Sequence, residues 1–153
     1  MPEPIFRQLD QAVAEVFALM FGRDCQPEAS PPPACAPPCI GASVLFSGSL
    51  LGACALHLSP TAAAELTHTL TGAARDALPI TLLADTAGEL CNMIAGCWKS
   101  LQPPEIAACA LSCPILSHGT CRPVPLFRET VLRLYQFAGH HFRLELSLDS
   151  PAT

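Results

Sequence analysis

Apolar residues recur at three- and four-residue steps from Ile5 through Phe6, Leu9, Val13, Val16 and Phe17 to Met20, while Arg7, Gln8, Gln11 and Glu15 fall between them. That period predicts an amphipathic helix over 4–21, ended by Gly22. Two short apolar runs follow, Ile40–Phe46 and Gly52–Leu58, separated by Ser47-Gly48-Ser49 and two leucines. They read as the strands of a hairpin. Ser59-Pro60 has the form of an N-cap followed by a proline at the first helical position, and predicts a helix to Gly72 with Ala62, Ala63, Leu66 and Leu70 as its stripe. A longer helix opens at Pro79 and runs to about Leu101. It buries Leu83, Ala87, Leu90, Ile94, Trp98 and Leu101, and Pro103-Pro104 stops it. Beyond it, Ile106–Leu111, Thr130–Phe137 and His141–Leu148 read as strands, the last two joined by Ala138-Gly139-His140. Helix, two strands, two helices and three strands make an α+β domain with a mainly antiparallel sheet and long helices packed on it.

The chain has 153 residues, enough for one domain spanning 1–153. Charged residues make up 14% and the net charge is −5, with Lys99 the sole lysine. No basic cluster exists to neutralise phosphates, so neither a nucleic acid nor an anionic membrane is an expected partner. The stretch 40–58 lacks Asp, Glu, Lys and Arg over nineteen residues, but its glycines and serines fit a hairpin better than a spanning helix. Glu3, Asp10 and Glu15 interrupt the N-terminal region where a secretory signal would need a pure apolar run, so the expected location is the cytoplasm. Nine cysteines and sixteen prolines stand out. In a reducing compartment the thiols are expected to be small buried fillers. No Cys-x-x-Cys pair occurs, although the three-residue gaps of Cys35/Cys39 and Cys109/Cys113 would suit zinc; no metal site is assigned. Six of the prolines fall within 27–38, read as an extended loop from helix to sheet.

Candidate chemistry concentrates on the third helix. Asp85, Glu89, Asn92 and Gly96 are spaced by four, three and four, and so line one face away from the apolar stripe. Asn92 is the only asparagine in the chain. Its amide competes with the backbone and makes it a mediocre helix former, and Gly88 and Gly96 on either side each cost about 1 kcal/mol relative to alanine. Small residues there would let another protein approach. Glu-x-x-Asn alone is a weak signal, equally met in ordinary solvated polar positions.

The wider stretch Gly88-Glu89-Leu90-Cys91-Asn92-Met93-Ile94-Ala95-Gly96 resembles the helix motif of the CheC/CheX/FliY family of response-regulator phosphatases. The family signature continues to a proline some twenty residues on, matched here by Pro114 within Leu111-Ser112-Cys113-Pro114. The upstream Ser43–Gly48 and Gly52–Leu56 segments are also similar, and a single motif per chain makes the likeness closest to CheX. The resemblance covers about 5–148. It implies a phosphatase acting on the phosphoaspartate of a CheY-like receiver domain. Asn92 would orient the attacking water and Glu89 would pair with the receiver's lysine, with Asp85, Gly88 and Gly96 on the partner-binding face. It implies no cofactor on this chain, Mg2+ on the partner receiver, and a homodimer formed through the C-terminal strands or the Pro-rich arm. Pro114 would be a structural marker. The Pro-rich stretch and the cysteine content depart from the family pattern. A receiver-binding or scaffold module without catalysis, and a thiol or metal protein, are the competing readings. His140-His141 is expected to be solvated in a hairpin turn.

Overall fold

A computed structural model describes residues 3–29, 39–119 and 129–149. The described elements run α1 (Glu3–Phe21), β1 (Gln26–Pro27), β2 (Cys39–Ser47), β3 (Leu51–Leu58), α2 (Pro60–Thr71), a 3-10 turn (Arg75–Ala77), α3 (Ile80–Ser100), α4 (Pro104–Ala107), β4 (Ala110–Leu111), β5 (Ile115–Gly119), β6 (Glu129–Phe137) and β7 (His140–Asp149). The strands form a seven-stranded antiparallel sheet in the order β1-β6-β7-β3-β2-β4, with β5 also paired to β2. This is the expected α+β architecture.

Side-chain alternation assigns the two faces of the sheet. Ile40, Val44, Phe46, Leu56, Leu144 and Leu146 point to the helices and are buried. Phe17 of α1 sits between Phe137 and Phe142, at ring-centroid distances of 5.2 and 5.5 Å. Trp98 of α3 meets Phe46 of β2 at 5.5 Å. Each such side chain contributes on the order of 1.5–3 kcal/mol by leaving water. α1 is tied to the sheet by polar contacts as well. Asp10 accepts from Arg133 Nε at 2.7 Å and from the hydroxyl of fully buried Tyr135 at 2.7 Å, while the Arg133 guanidinium lies over the Phe6 ring.

Several expectations hold locally. Ser59 Oγ accepts from Ala62 N at 3.1 Å, and Gly72 closes α2 at φ 73°. The β6–β7 hairpin turns on Ala138 and Gly139, both at positive φ. Others do not hold. The expected strand at 106–111 begins inside the helical turn α4, which takes Ile106 and Ala107 because Pro104 at its first turn has the fixed φ a helix start favours; strand pairing shrinks to Ala110–Leu111 against Phe46 and Ser47. β5 was not foreseen: Ile115–Leu116–Ser117–His118 are all exposed at the sheet edge and show no alternation. Leu70 is 40% exposed, and Thr67 takes its place in the interior, donating to Ala63 O at 2.8 Å with its hydroxyl 2.7 Å from Thr86 Oγ1. His140 begins β7 half-buried against Phe137, against expectation, whereas His141 is exposed as expected, with Nδ1 2.7 Å from Glu28 Oε1. Among the cysteines, Cys25, Cys54, Cys91 and Cys109 are buried free thiols, as expected of filler, whereas Cys39 is disulfide-bonded, against the expectation of a wholly reduced set. The Pro-rich residues 30–38 lie outside the described residues. No helix is long and apolar enough to cross a membrane among those described.

Candidate functional site

α3 is anchored by its apolar stripe, with Leu83, Ala87, Leu90, Ile94 and Trp98 buried against β2 and β3. The opposite face carries the candidate residues. Asp85 and Glu89 are exposed, and Asn92 and Gly96 are half-exposed. Glu89 and Asn92 stand one turn apart, about 4.5 Å along the helix axis. Among the described residues neither the Glu89 carboxylate nor the Asn92 carboxamide has a hydrogen-bond or ion-pair partner. An amide and a carboxylate are thus held on a rigid element and left uncommitted.

The flanks of this face are closed by two different elements. On one side β5 crosses close to the helix, and Gly88 makes that approach feasible. A Cβ at position 88 would lie 2.6 Å from Leu116 Cδ2 and 3.3 Å from Pro114 Cβ. Gly88 is accordingly buried, and what it admits is β5 rather than open solvent. Pro114 meets the glycine beside Leu116, which gives the distant proline a physical place: it seats the entry to β5 on α3. Gly96 is different. A Cβ there would meet only Leu111 Cδ1, at 3.9 Å, so this glycine lies on an open floor.

On the other side α1 runs beside α3, and a cleft of about 360 Å³ opens between them. Asn92, Met93 and Gly96 form one wall, Glu15, Val16 and Leu19 the other, and Cys97 and Leu111 complete it. Cys97 Sγ donates to Glu15 Oε2 at 3.2 Å, and Gln11 Nε2 donates to Glu15 Oε1 at 3.0 Å. The Gln11 hydrogen bond, then that of Cys97, holds the Glu15 carboxyl below its ordinary range. Burial, with Glu15 adding to it, pushes the Cys97 thiol up to about 11, so it stays protonated and is a poor nucleophile. The cleft wall contributed by α1 was not anticipated from the sequence; the one available signal was Leu19, a leucine off the helix stripe.

Groups of three or more His, Cys, Asp or Glu placed to hold a metal ion are not found among the described residues. The site has no nucleophile–base pair either. What it offers is a neutral amide able both to accept and to donate, beside a carboxylate, on a protruding helical face.

Comparison with known proteins bears on the family and the fold. No curated protein matches the chain. The structure is similar to the chemotaxis protein CheX from Vibrio vulnificus, at 14% identity over 95% of this chain and 96% of that one, with a TM-score of 0.78. It is also similar to a CheC-like superfamily protein from Shewanella sp. PV-4, at 15% identity over 97% and 99%, with a TM-score of 0.78. A third similar structure is that of the CheX–CheY–BeF3–Mg2+ complex from Borrelia burgdorferi, at 14% identity over 95% and 97%, with a TM-score of 0.69. The family model for the chemotaxis phosphatase CheX matches residues 40–126, which hold β2, β3, the whole of α3 and Pro114. With that match over more than half its length, the chain belongs to the CheX family.

Proposed function

We propose that this protein hydrolyses the phosphoaspartate of a CheY-like receiver domain, with Asn92 as the residue that orients the attacking water. The observation that carries the reading is the unengaged pair of Glu89 and Asn92, one turn apart on the outward face of α3. A side chain committed to an internal hydrogen bond could not be handed to a partner without breaking that bond. These two are free to be inserted.

An acyl phosphate is already an activated substrate, and a receiver brings its own divalent ion and lysine to the phosphoryl group. An auxiliary protein therefore needs to supply position more than reactivity. The Asn92 carbonyl accepts a hydrogen bond from water while its NH2 donates to a phosphoryl oxygen, which aligns the water with phosphorus. The water oxygen bonds to phosphorus, the bond from phosphorus to the aspartyl oxygen breaks, and inorganic phosphate and an aspartate carboxylate result. Glu89 pairs with the receiver's lysine and sets the register of insertion, with Asp85 and Gly96 on the surface that the receiver covers. Mg2+ belongs to the receiver; this chain holds no cofactor in the reading. Neither role requires a shifted pKa.

Self-association through the sheet belongs to the same reading. Leu45, Leu51, Ile115 and Leu132 are exposed on the side of the sheet away from the helices, where a second copy would cover them without obstructing α3. Sedimentation equilibrium of the full chain tests it: a monomer at all concentrations would remove the dimer.

The test of catalysis is release of phosphate from phosphorylated receivers in the presence of Mg2+. Asn92→Ala should lower the rate at saturating receiver by on the order of 100-fold or more, as expected for lost positioning. Glu89→Ala should act mainly on KM. Full activity in Asn92→Ala would end the proposed mechanism. A receiver that binds with no change in dephosphorylation by the wild-type chain would favour the non-catalytic binding module.

A further inference from the structure

The cleft between α1 and α3 is apolar where the candidate catalytic face is polar, and the two share a residue. Asn92 lines the cleft as well as standing beside Glu89. Leu19, on the opposite wall, is 78% exposed, the highest value among the large apolar side chains described. Its neighbour one turn back, Val16, is buried at 3% and forms part of the floor. Leaving a leucine in water forgoes most of the free energy its burial would bring. An exposed leucine at the lip of an apolar cleft forms with it one continuous apolar patch, and such patches mark interaction surfaces.

From this we propose that the cleft is the specificity pocket for the receiver: it takes one apolar side chain carried on the receiver surface around the phosphorylated aspartate, and Leu19 of α1 clamps it. The proposal rests on the reading of Asn92 given above, because a partner brought close enough to receive Asn92 necessarily covers the cleft that Asn92 lines. The volume, about 360 Å³, leaves room for one large apolar side chain. Charge complementarity argues for the same occupant. Glu15 lines the cleft and is exposed, and Glu89 and Asp85 continue the exposed acidic face one and two turns from Asn92 along α3. An apolar pocket with a carboxylate at its edge matches a surface with a basic group next to an aliphatic or aromatic residue. Gly96 leaves the floor without a side chain, with only Leu111 Cδ1 at 3.9 Å from where a Cβ would stand.

Under this proposal α1, which lies outside the segment matched by the family model, chooses the partner, while α3 performs the chemistry. Leu19 is then a specificity residue and not a catalytic one.

The experiment uses the full chain with purified receiver domains from its own genome, loaded with BeF3− and Mg2+ for binding and phosphorylated for turnover. Leu19→Glu places a charge at the mouth of the cleft on an exposed position. Leu19→Ser removes the apolar clamp at the same exposed position without adding a charge, so a loss shared by both variants is not an effect of the introduced carboxylate. Both should raise Kd and KM about tenfold or more and leave the rate at saturating receiver within about twofold. Asn92→Ala should show the reverse pattern. If both cleft variants bind as wild type while Asn92→Ala is inactive, the pocket is overturned and the proposed function stands. If the cleft variants lose binding while Asn92→Ala keeps full activity, the pocket stands and the role of Asn92 falls. If no receiver binds the wild-type chain, both fall.

Discussion

Asp10 holds α1 on the sheet, and its removal has a calculable cost. The carboxylate accepts from Tyr135 Oη and from Arg133 Nε, each at 2.7 Å, and a second bond from the guanidinium reaches its other oxygen. In Asp10→Ala the Tyr135 O–H, on a residue with no exposed surface, loses its acceptor, while Arg133 can only donate to its oxygen. An orphaned buried donor costs about 1–3 kcal/mol. The Arg133 side chain is 27% exposed and keeps its stacking on Phe6, so water recovers most of its hydrogen bonding and adds no more than about 1 kcal/mol. The sum is about 1–4 kcal/mol, which for a domain of this size lowers Tm by several degrees, on the order of 10 °C at the upper end, in scanning calorimetry. Tyr135→Phe isolates the cause. It removes the orphan donor, so the loss in Asp10→Ala/Tyr135→Phe should fall short of the sum of the two single losses by about 1 kcal/mol or more. Strict additivity, or a Tm change in Asp10→Ala below about 2 °C, would refute the claim that the buried hydroxyl is what Asp10 serves. A destabilised α1 that still binds a receiver with unchanged Kd would separately show that the helix is not a wall of the recognition surface.

Burial, aided by the Arg143 guanidinium, pushes the His57 imidazole down to about 4. The unfolded chain therefore takes up a proton near pH 6.5 that the folded chain refuses until about pH 4, and stability should fall as pH drops through that window, by up to about 3 kcal/mol. Urea titrations of wild type and His57→Leu from pH 7 to 4 should show a flatter acid limb in the variant; equal slopes would reject the assignment. The Glu145 carboxyl, raised by burial, works in the opposite sense, since its stabilising share is largest at low pH. The Arg75 hydrogen bond, with Arg23, holds Glu65 down to about 2, so its contribution is present above pH 4.5 and lost as pH falls towards 2. Because Arg75 is 54% exposed, Glu65→Gln should cost no more than about 1 kcal/mol at pH 7 by urea denaturation. Gly88→Ala should change stability by less than about 1 kcal/mol, since the gain in helix propensity offsets a shift of the flexible Leu116 tip, whereas Gly88→Leu should lose about 1–3 kcal/mol by forcing β5 away. Thermal melts of the pair decide it, with equal stability of the two variants as the refuting result.

What the sequence made legible was whatever repeats over several turns or alternates over several residues. α1, α3, the β2–β3 hairpin and the β6–β7 pair all carry such patterns, and their observed limits differ from the expected ones by a residue or so. β5 carries no pattern because it is an edge strand with both faces wet, and α4 was hidden by two prolines that read equally well as a stop and as a start. At the candidate site, Glu89 and Asn92 were legible because spacing on a helix fixes their relation. The cleft was not, because it is made by α1 and α3, some seventy residues apart in the chain, and no local pattern encodes their crossing. The role of Gly88 was hidden for the same reason: only the arrival of β5 distinguishes it from Gly96.

The contact of Gly88 with Pro114 and Leu116 bears on how sequences of this kind can change over time. Position 88 sits on the same helix as the polar pair, and position 116 is on an exposed edge where most substitutions would pass unnoticed. Yet the space for a Cβ at 88 is set by the bulk at 116. Related chains with a side chain larger than alanine at the first position should carry a smaller residue at the second, so drift at a wet strand edge is constrained by the helix packed behind it. An alignment deep enough to resolve pairwise covariation would show these two columns moving together, with the proline between them held fixed.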